Sequence, residues 1–318
     1  MARYFLVRLG IFVGSLLGAS VLIFGLMDAL GGDAAEVLLG EDATTEALAA
    51  LRTELGLDRP APVRYFEWIW GLLTFDLGQS YITKYDIGKE LSRRLVLTVP
   101  LAFVSLIASA LIGLPLGLIA AVKRHSFIGK FVHGFSQVGI TIPTFWSGIL
   151  LSLVFALYLD LLPTGGYTRP SVNLGSAIRS LILPATALAL VGSAVLARYA
   201  RAAILDVLSE DYMRTARSLG LSQWRAVFRH GLRNASIPLI TVLGLQFGHL
   251  IGGAVVIESV FFLPGVGRLV VDAVAARDGV VVQSTVMVLT SLVLGLNFLT
   301  DFAYGLIDPR IRAGASET

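Results

Sequence analysis

Six apolar runs dominate this sequence, near Leu9–Leu30, Leu97–Val122, Phe131–Tyr158, Leu181–Ala203, Ser236–Phe262 and Val286–Ile307. A helix rises about 1.5 Å per residue, so about 20 apolar residues cross about 30 Å of hydrocarbon. In lipid every backbone polar group must be satisfied within the protein, and helices do this within one segment. The pattern therefore predicts an all-α polytopic membrane protein with six transmembrane helices. Composition agrees, since 55% of the 318 residues are hydrophobic, only 15% are charged and mean hydropathy is +0.78. The first run is longer than the apolar core of a cleaved signal, so it is read as an uncleaved span.

Charge orients the spans. On the side of the termini, Arg3, Arg8, Lys123, Arg124, Lys130 and the bases from Arg198 to Arg233 fall in short segments. The bases on the other side are concentrated in one long segment, 31–96, where charge bias is weak. Both termini are therefore expected to be cytoplasmic. The organisation expected is 1–30 as N-terminus and first span, 31–96 as an extracytoplasmic helical insertion, 97–307 as a five-helix core with a cytoplasmic loop at 206–234, and 308–318 as a tail. Within the insertion, Leu48, Leu51 and Leu55 have helical spacing with Gly56 as a stop. Arg64–Phe75 is aromatic, which fits an interfacial helix or a surface for an external protein; the two are compatible.

The loop is the informative polar segment. Ser209 is placed as an N-cap, with Glu210 and Asp211 in the first turn, Arg214 and Arg217 late and Gly220 after the end. Acids first, bases last and glycine at the stop complement the helix dipole. Ser222 then caps a second helix, with Leu221, Trp224, Val227 and Phe228 expected on one face and Arg225 and Arg229 on another. Such a helix suits either a groove on a partner protein or an anionic lipid surface; two capped helices kinked at Gly220 favour the protein partner.

Inside the spans, Gly10, Gly14 and Gly18, and Gly244, Gly248 and Gly252, recur every four residues and are read as helix-packing faces. Gln137, Thr141, Gln246, His249, Glu258 and Asn297 form a list of residues to line a polar pathway. Glu258 is expected near the outer end of the fifth span, at a gate or in interfacial water. Pro115 and Pro143 interrupt their spans. No Gly-x4-Gly-Lys-Ser/Thr phosphate loop occurs, and the four His residues lack metal-ligand spacing. The chain is therefore expected to be no enzyme and to hold no metal. The net charge of +3 comes from scattered bases, with no patch for nucleic acid.

The run from Asp211 to Pro238, with Asp211-Tyr212, Arg214-Thr215-Ala216, Gly220-Leu221 and Leu232-Arg233-Asn234-Ala235, resembles the cytoplasmic coupling loop of ATP-binding-cassette importer permeases. It departs from the general Glu-Ala-Ala form at its first two positions and is similar to the dipeptide, oligopeptide and nickel branch, B-type subunit. Leu55–Pro60, Phe75–Ser80, Gly113–Gly117, Pro143–Trp146, Gly252–Glu258, Pro264–Gly267 and Asp308–Arg310 extend the resemblance in order along nearly the whole chain. It implies a type I importer permease fold that works by alternating access. Its partners would be a second homologous permease, two ATPases and an extracytoplasmic solute-binding protein, all in the bilayer setting of an inner membrane. The substrate implied is a di- or oligopeptide, with nickel chelates or glutathione as alternatives. No cofactor is implied for this chain, ATP and Mg belonging to the ATPases. The coupling residues implied are Ala216, Gly220, Leu221, Ser222, Trp224, Arg225, Val227, Phe228 and Arg229.

Overall fold

The structure, a computed structural model, describes residues 2–30, 34–40 and 43–307; the expected tail 308–318 lies outside them. The described residues form thirteen α-helices with two π turns and no strand. They are α1 (Ala2–Leu30), α2 (Ala34–Leu39), α3 (Thr45–Glu54), α4 (Ala61–Leu73), α5 (Ile87–Val122), α6 (Phe127–Thr141), α7 (Thr144–Leu151), α8 (Leu174–Ser209), α9 (Asp211–Ser218), α10 (Gln223–Ala226), α11 (Leu232–Val260), α12 (Val266–Ala275) and α13 (Gly279–Ile307). Five helices are long and apolar enough to cross a membrane. The pair Phe127–Thr141 and Thr144–Tyr158 is long and apolar enough only when taken together, and is bent by 103° at the break between them. The break lies where Ile142 is held extended before Pro143, the conformation a following proline imposes. The interruption expected at Pro143 is thus present, whereas Pro115 lies inside the unbroken helix α5.

The chain divides into two compact units. One gathers Val99–Leu263 with the chain ends, Met1–Leu6 and Leu296–Thr318, so far as these are described. In it α8 is the central helix. Buried Ser193, Ala194, Leu196, Ala197 and Ala200 mark a face of mostly small residues. Gly113 and Gly117 of α5 lie against it so closely that a Cβ on either would sit 2.5 Å from the carbonyl oxygen of Ser193 or Ala197. A Cβ on Gly139 of α6 would come 2.7 Å from the Cβ of Ala194.

The other unit comprises Val7–Thr98 and Pro264–Gly295. Thr44 caps α3 by accepting from the Ala47 N–H at 3.2 Å, and Gly56 has φ +68° after its end. The aromatic helix α4 packs on α1. Tyr65 Oη and Ser20 Oγ are 2.9 Å apart, Phe24 meets the Tyr65 ring edge-on, and Arg64 pairs with Asp28. The opposite face leaves Phe66 and Trp70 exposed. α12 buries Val266, Leu269 and Ala273 against Ile87 and Leu91 of α5. Asp86 caps α5 by accepting from the Lys89 N–H at 3.0 Å. That bond, with the Lys89 side chain, holds its carboxyl below the ordinary value of 3.8. A depressed folded pKa stabilises above the unfolded value and is lost as pH falls through the folded one. Acidification below about pH 4 is therefore expected to lower the melting temperature of the wild type more than that of Asp86→Asn. Equal slopes in a detergent melt would remove the cap from the stability of this unit.

Candidate functional site: a helical platform continuous with a span

The platform lies in the first unit, between α8 and α11. α8 runs on to Ser209, and Glu210 breaks it in an extended conformation. Ser209 is therefore not the cap expected of it. As the last residue of α8, its hydroxyl donates to the Asp206 carbonyl at 2.7 Å, and Glu210 occupies the cap position of α9 without a side-chain bond. The Arg214 guanidinium reaches back to Asp211 at 3.3 Å.

α9 ends as the sequence leads one to expect. Gly220 has φ +92°, its N–H donates to the Arg217 carbonyl at 3.0 Å, and the Leu221 N–H donates to the Ala216 carbonyl at 3.2 Å. These paired bonds form a Schellman stop, which needs a left-handed residue. A Cβ on Gly220 would meet no atom within 4 Å, so backbone conformation and not space requires the glycine. Ser222 then accepts from the Arg225 N–H at 3.4 Å and starts α10.

α10 does not stop before the fifth span. A π turn, Val227–Gly231, carries it into α11, with Val227 and Leu232 in helical conformation. Turns of this type often occur at functional sites. The Ser222-capped segment is therefore the first part of one helical path that ends at Val260. Sequence reading separated the two because π and α turns share one apolar pattern.

One side of the platform is core. Met213, Ala226 and Val227 are fully buried with Ile204, Val207 and Ala121, and Leu221 packs against this cluster. Ala216 joins it. Val227, expected beside Trp224 and Phe228, is instead fully buried, because the turn through Ala226 and Val227 faces α8. The other side is open. Trp224 and Phe228 stack with ring centroids 6.1 Å apart, Phe228 is 59% exposed, and Arg225 and Arg229 flank them, also exposed. Leu219, missed in the sequence because it closes a helix, is 80% exposed beside Gly220. Tyr212 and Asn234 tie α9 to α11, the amide donating to the phenol oxygen at 2.9 Å. An aromatic stack rimmed by arginines is suited to an apolar groove with an acidic edge.

The residues expected to line a pathway scatter. Gln137 and Thr141 are exposed on α6 and Asn297 is half-buried on α13. Gln246 and His249 line one cleft of about 430 Å³ with Arg198, Tyr199 and Thr144. Glu258 is completely buried, so it does not reach interfacial water; the segment following it folds back, with the Leu263 N–H on its carbonyl at 2.8 Å. The glycines also divide. A Cβ on Gly244 would clash with Thr300 at 2.6 Å, whereas at Gly10, Gly14, Gly18 and Gly252 none would meet an atom within 4 Å. Gly248 is half-buried on α11.

By class this is a polytopic helical membrane protein with an exposed platform continuous with one of its spans. Residues 113–313 match the family described as binding-protein-dependent transport system inner membrane component, and residues 1–102 match its N-terminal partner family. The chain belongs to this family. It is 39% identical, over 98% of its length and 99% of the relative's, to a Brucella abortus protein named as a peptide transport system permease. It is 40% identical over 98% of its length and all of the relative's to a Sinorhizobium fredii protein named as a peptide ABC transporter permease. It is 38% identical, over 98% and 99%, to the glutathione transport system permease protein GsiC of Salmonella typhimurium. The solved structure described as inward-facing conformations of the MetNI methionine ABC transporter shares the fold, with TM-score 0.58 and 18% identity over 69% of this chain and 96% of that one. The architecture is thus the type I importer permease fold. The chain is a permease component and not a catalytic subunit, and works with a solute-binding protein and an ATPase.

Proposed function

We propose that this chain is the permease subunit through which an ATP-driven importer moves di- or oligopeptides inward by alternating access. The observation that carries the mechanism is the continuity of the Trp224–Phe228 segment with α11 through the π turn. Two ATPases bind at the platforms of this chain and of a second, homologous permease. ATP and Mg bind on the ATPases, and closure of the ATPases displaces Trp224 and Phe228. Because no loop intervenes, the displacement passes to the fifth span. The buried cluster around Met213 passes it to the end of α8 as well. Both termini and the platform face the cytoplasm, and the solute-binding protein delivers substrate to the opposite side. The coupling set is Ala216, Gly220, Leu221, Ser222, Trp224, Arg225, Phe228 and Arg229, with Val227 acting from the core. The packing role of the glycines falls to Gly244 and Gly248 within the chain, and to Gly10, Gly14, Gly18 and Gly252 against the second permease. Peptides are preferred because two of the full-length relatives are named for them. Glutathione, itself a small peptide, is the second reading on the third relative, and nickel chelates remain the branch alternative.

The test is uptake of a labelled mixture of di- to pentapeptides by cells with and without the gene. Uptake is expected to disappear in its absence and to return with the wild-type chain but not with Gly220→Asp. A side chain at φ +92° strains the stop by about 1–2 kcal/mol and moves the tip. Restoration by Gly220→Asp would sink the coupling assignment, and unchanged uptake in a strain without other peptide systems would sink the peptide one.

A further inference from the structure

The cleft that holds Gln246 and His249 has an unbalanced charge. Its lining includes the guanidinium of Arg198 and the polar side chains of Gln246, His249, Tyr199 and Thr144, but no acid. The rest is leucine, valine and glycine, from Leu188 to Gly253. The guanidinium of Arg198 lies over the Tyr199 ring at 5.2 Å from its centroid. Among the described residues no carboxylate lies within ion-pair distance of it. One helical turn further, the buried Nε of Arg201 also lacks a hydrogen-bond partner. Ala203 and Ile204, in the next turn, already belong to the platform cluster, so the cation sits about 8 Å along the axis from the mechanical end of α8. A cation within a membrane-crossing helix is costly, and without a protein acid beside it calls for an anion from elsewhere.

We propose that Arg198, with Tyr199, His249 and Gln246, forms a carboxylate subsite of the translocation path that receives the C-terminal carboxylate of the transported peptide. Arg binds a carboxylate through paired N–H donors, and Arg198, Tyr199 and His249 are all exposed, so the cation is open to an incoming solute while Gln246 is buried beside it. With no acid in the cleft, the ammonium end of the peptide is not held there. The site therefore reads the C-terminus and leaves side chains and length unread, as an importer of mixed peptides requires. Gln246 and His249 occupy successive turns of α11, the helix continuous with the platform, so displacement of that helix relative to α8 would open or dismantle the site. This inference rests on the peptide reading given above.

The experiment uses the complete transporter, with its binding protein, reconstituted in vesicles of purely zwitterionic lipid and in vesicles containing anionic lipid. Uptake of one labelled tripeptide is measured as free acid and as C-terminal amide. The preference of the binding protein is common to all permease variants, so the change in the acid-to-amide ratio isolates the permease. Arg198→Gln is expected to lower uptake of the acid about tenfold, the scale of a lost charge-assisted hydrogen-bond pair, and of the amide less than twofold, in both lipids. Arg198→Lys, which keeps the charge but loses the paired donors, is expected to retain a reduced preference for the acid, between those of the wild type and Arg198→Gln. Co-purification of all subunits verifies assembly, and His249→Ala, at an exposed position, provides a second variant expected to reduce the ratio. Equal loss of acid and amide, or no loss, would overturn the subsite. Loss confined to anionic vesicles would assign Arg198 to a lipid phosphate and also overturn it. Absence of wild-type uptake of either peptide would instead overturn the peptide reading and the carboxylate assignment with it.

Discussion

Trp224→Ala is expected to abolish uptake while leaving the permease folded. The Trp224 ring stacks on Phe228 outside the buried cluster, with an interplanar angle of 22°. Truncating a central aromatic anchor costs an interface about 2–4 kcal/mol, or about 30- to 1000-fold in affinity. Phe228 loses its stacking partner at the same time, so Trp224→Ala and Phe228→Ala should be far from additive. Met213 provides the contrast. It is fully buried in the cluster beneath, and Met213→Ala should cost about 2–5 kcal/mol of stability through the cavity it leaves. The measurement is paired: ATPase recovered with the purified permease, and thermal melting of the permease alone. Trp224→Ala should lose ATPase and keep its melting temperature, while Met213→Ala should lower the melting temperature first. Full ATPase recovery with Trp224→Ala would remove the aromatic stack from the interface.

How much of this was legible depends on the range of the forces involved. The stop at Gly220 and the start at Ser222 are written locally, because capping involves only neighbouring backbone, and both were placed from residue types alone. Ser209 failed by the same local logic. A serine before two acids has the chemistry of a cap, but Ala203, Ile204 and Val207 find burial on the platform and carry α8 past the point where the cap would act. The spans were legible in number and short in extent. Ile87–Val122 and Leu174–Ser209 each have 36 residues, longer than a bilayer requires, and their ends pack on protein. The proline at 143 was visible, but the 103° bend was not, since the angle is set by what each half packs against. Likewise, polarity alone placed Glu258 near water, although the fold encloses it. The pairing of Gln246 and His249 with Arg198 required the antiparallel neighbour α8, which no single-helix pattern supplies.

The glycines lead to the second large effect, because the sequence shows where they are and not what they face. Gly113 and Gly117 recur at the same four-residue spacing as the sets selected from sequence, but flank a proline and were not selected. A Cβ at Gly117 would lie 2.5 Å from the Ala197 carbonyl oxygen, 2.6 Å from the Ala200 Cβ and 3.0 Å from the Arg201 nitrogen. Two of these atoms are backbone and cannot rotate away, so relief requires α5 and α8 to separate. Gly117→Leu should therefore exceed the about 1–3 kcal/mol usual for overpacking and approach the range in which a single change unfolds a protein. Because α8 also ends in the platform, no folded permease is expected on size exclusion, whether the chain is expressed alone or with its partners. Gly14→Leu is the informative counterpart. Its Cβ position has no atom within 4 Å, so the chain by itself should fold and elute normally. If the Gly10–Gly14–Gly18 face receives the second permease, the same variant should reduce recovery of the complex severalfold. Normal recovery would leave that face to lipid, and a folded Gly117→Leu would mean that α5 and α8 are not locked together by this contact.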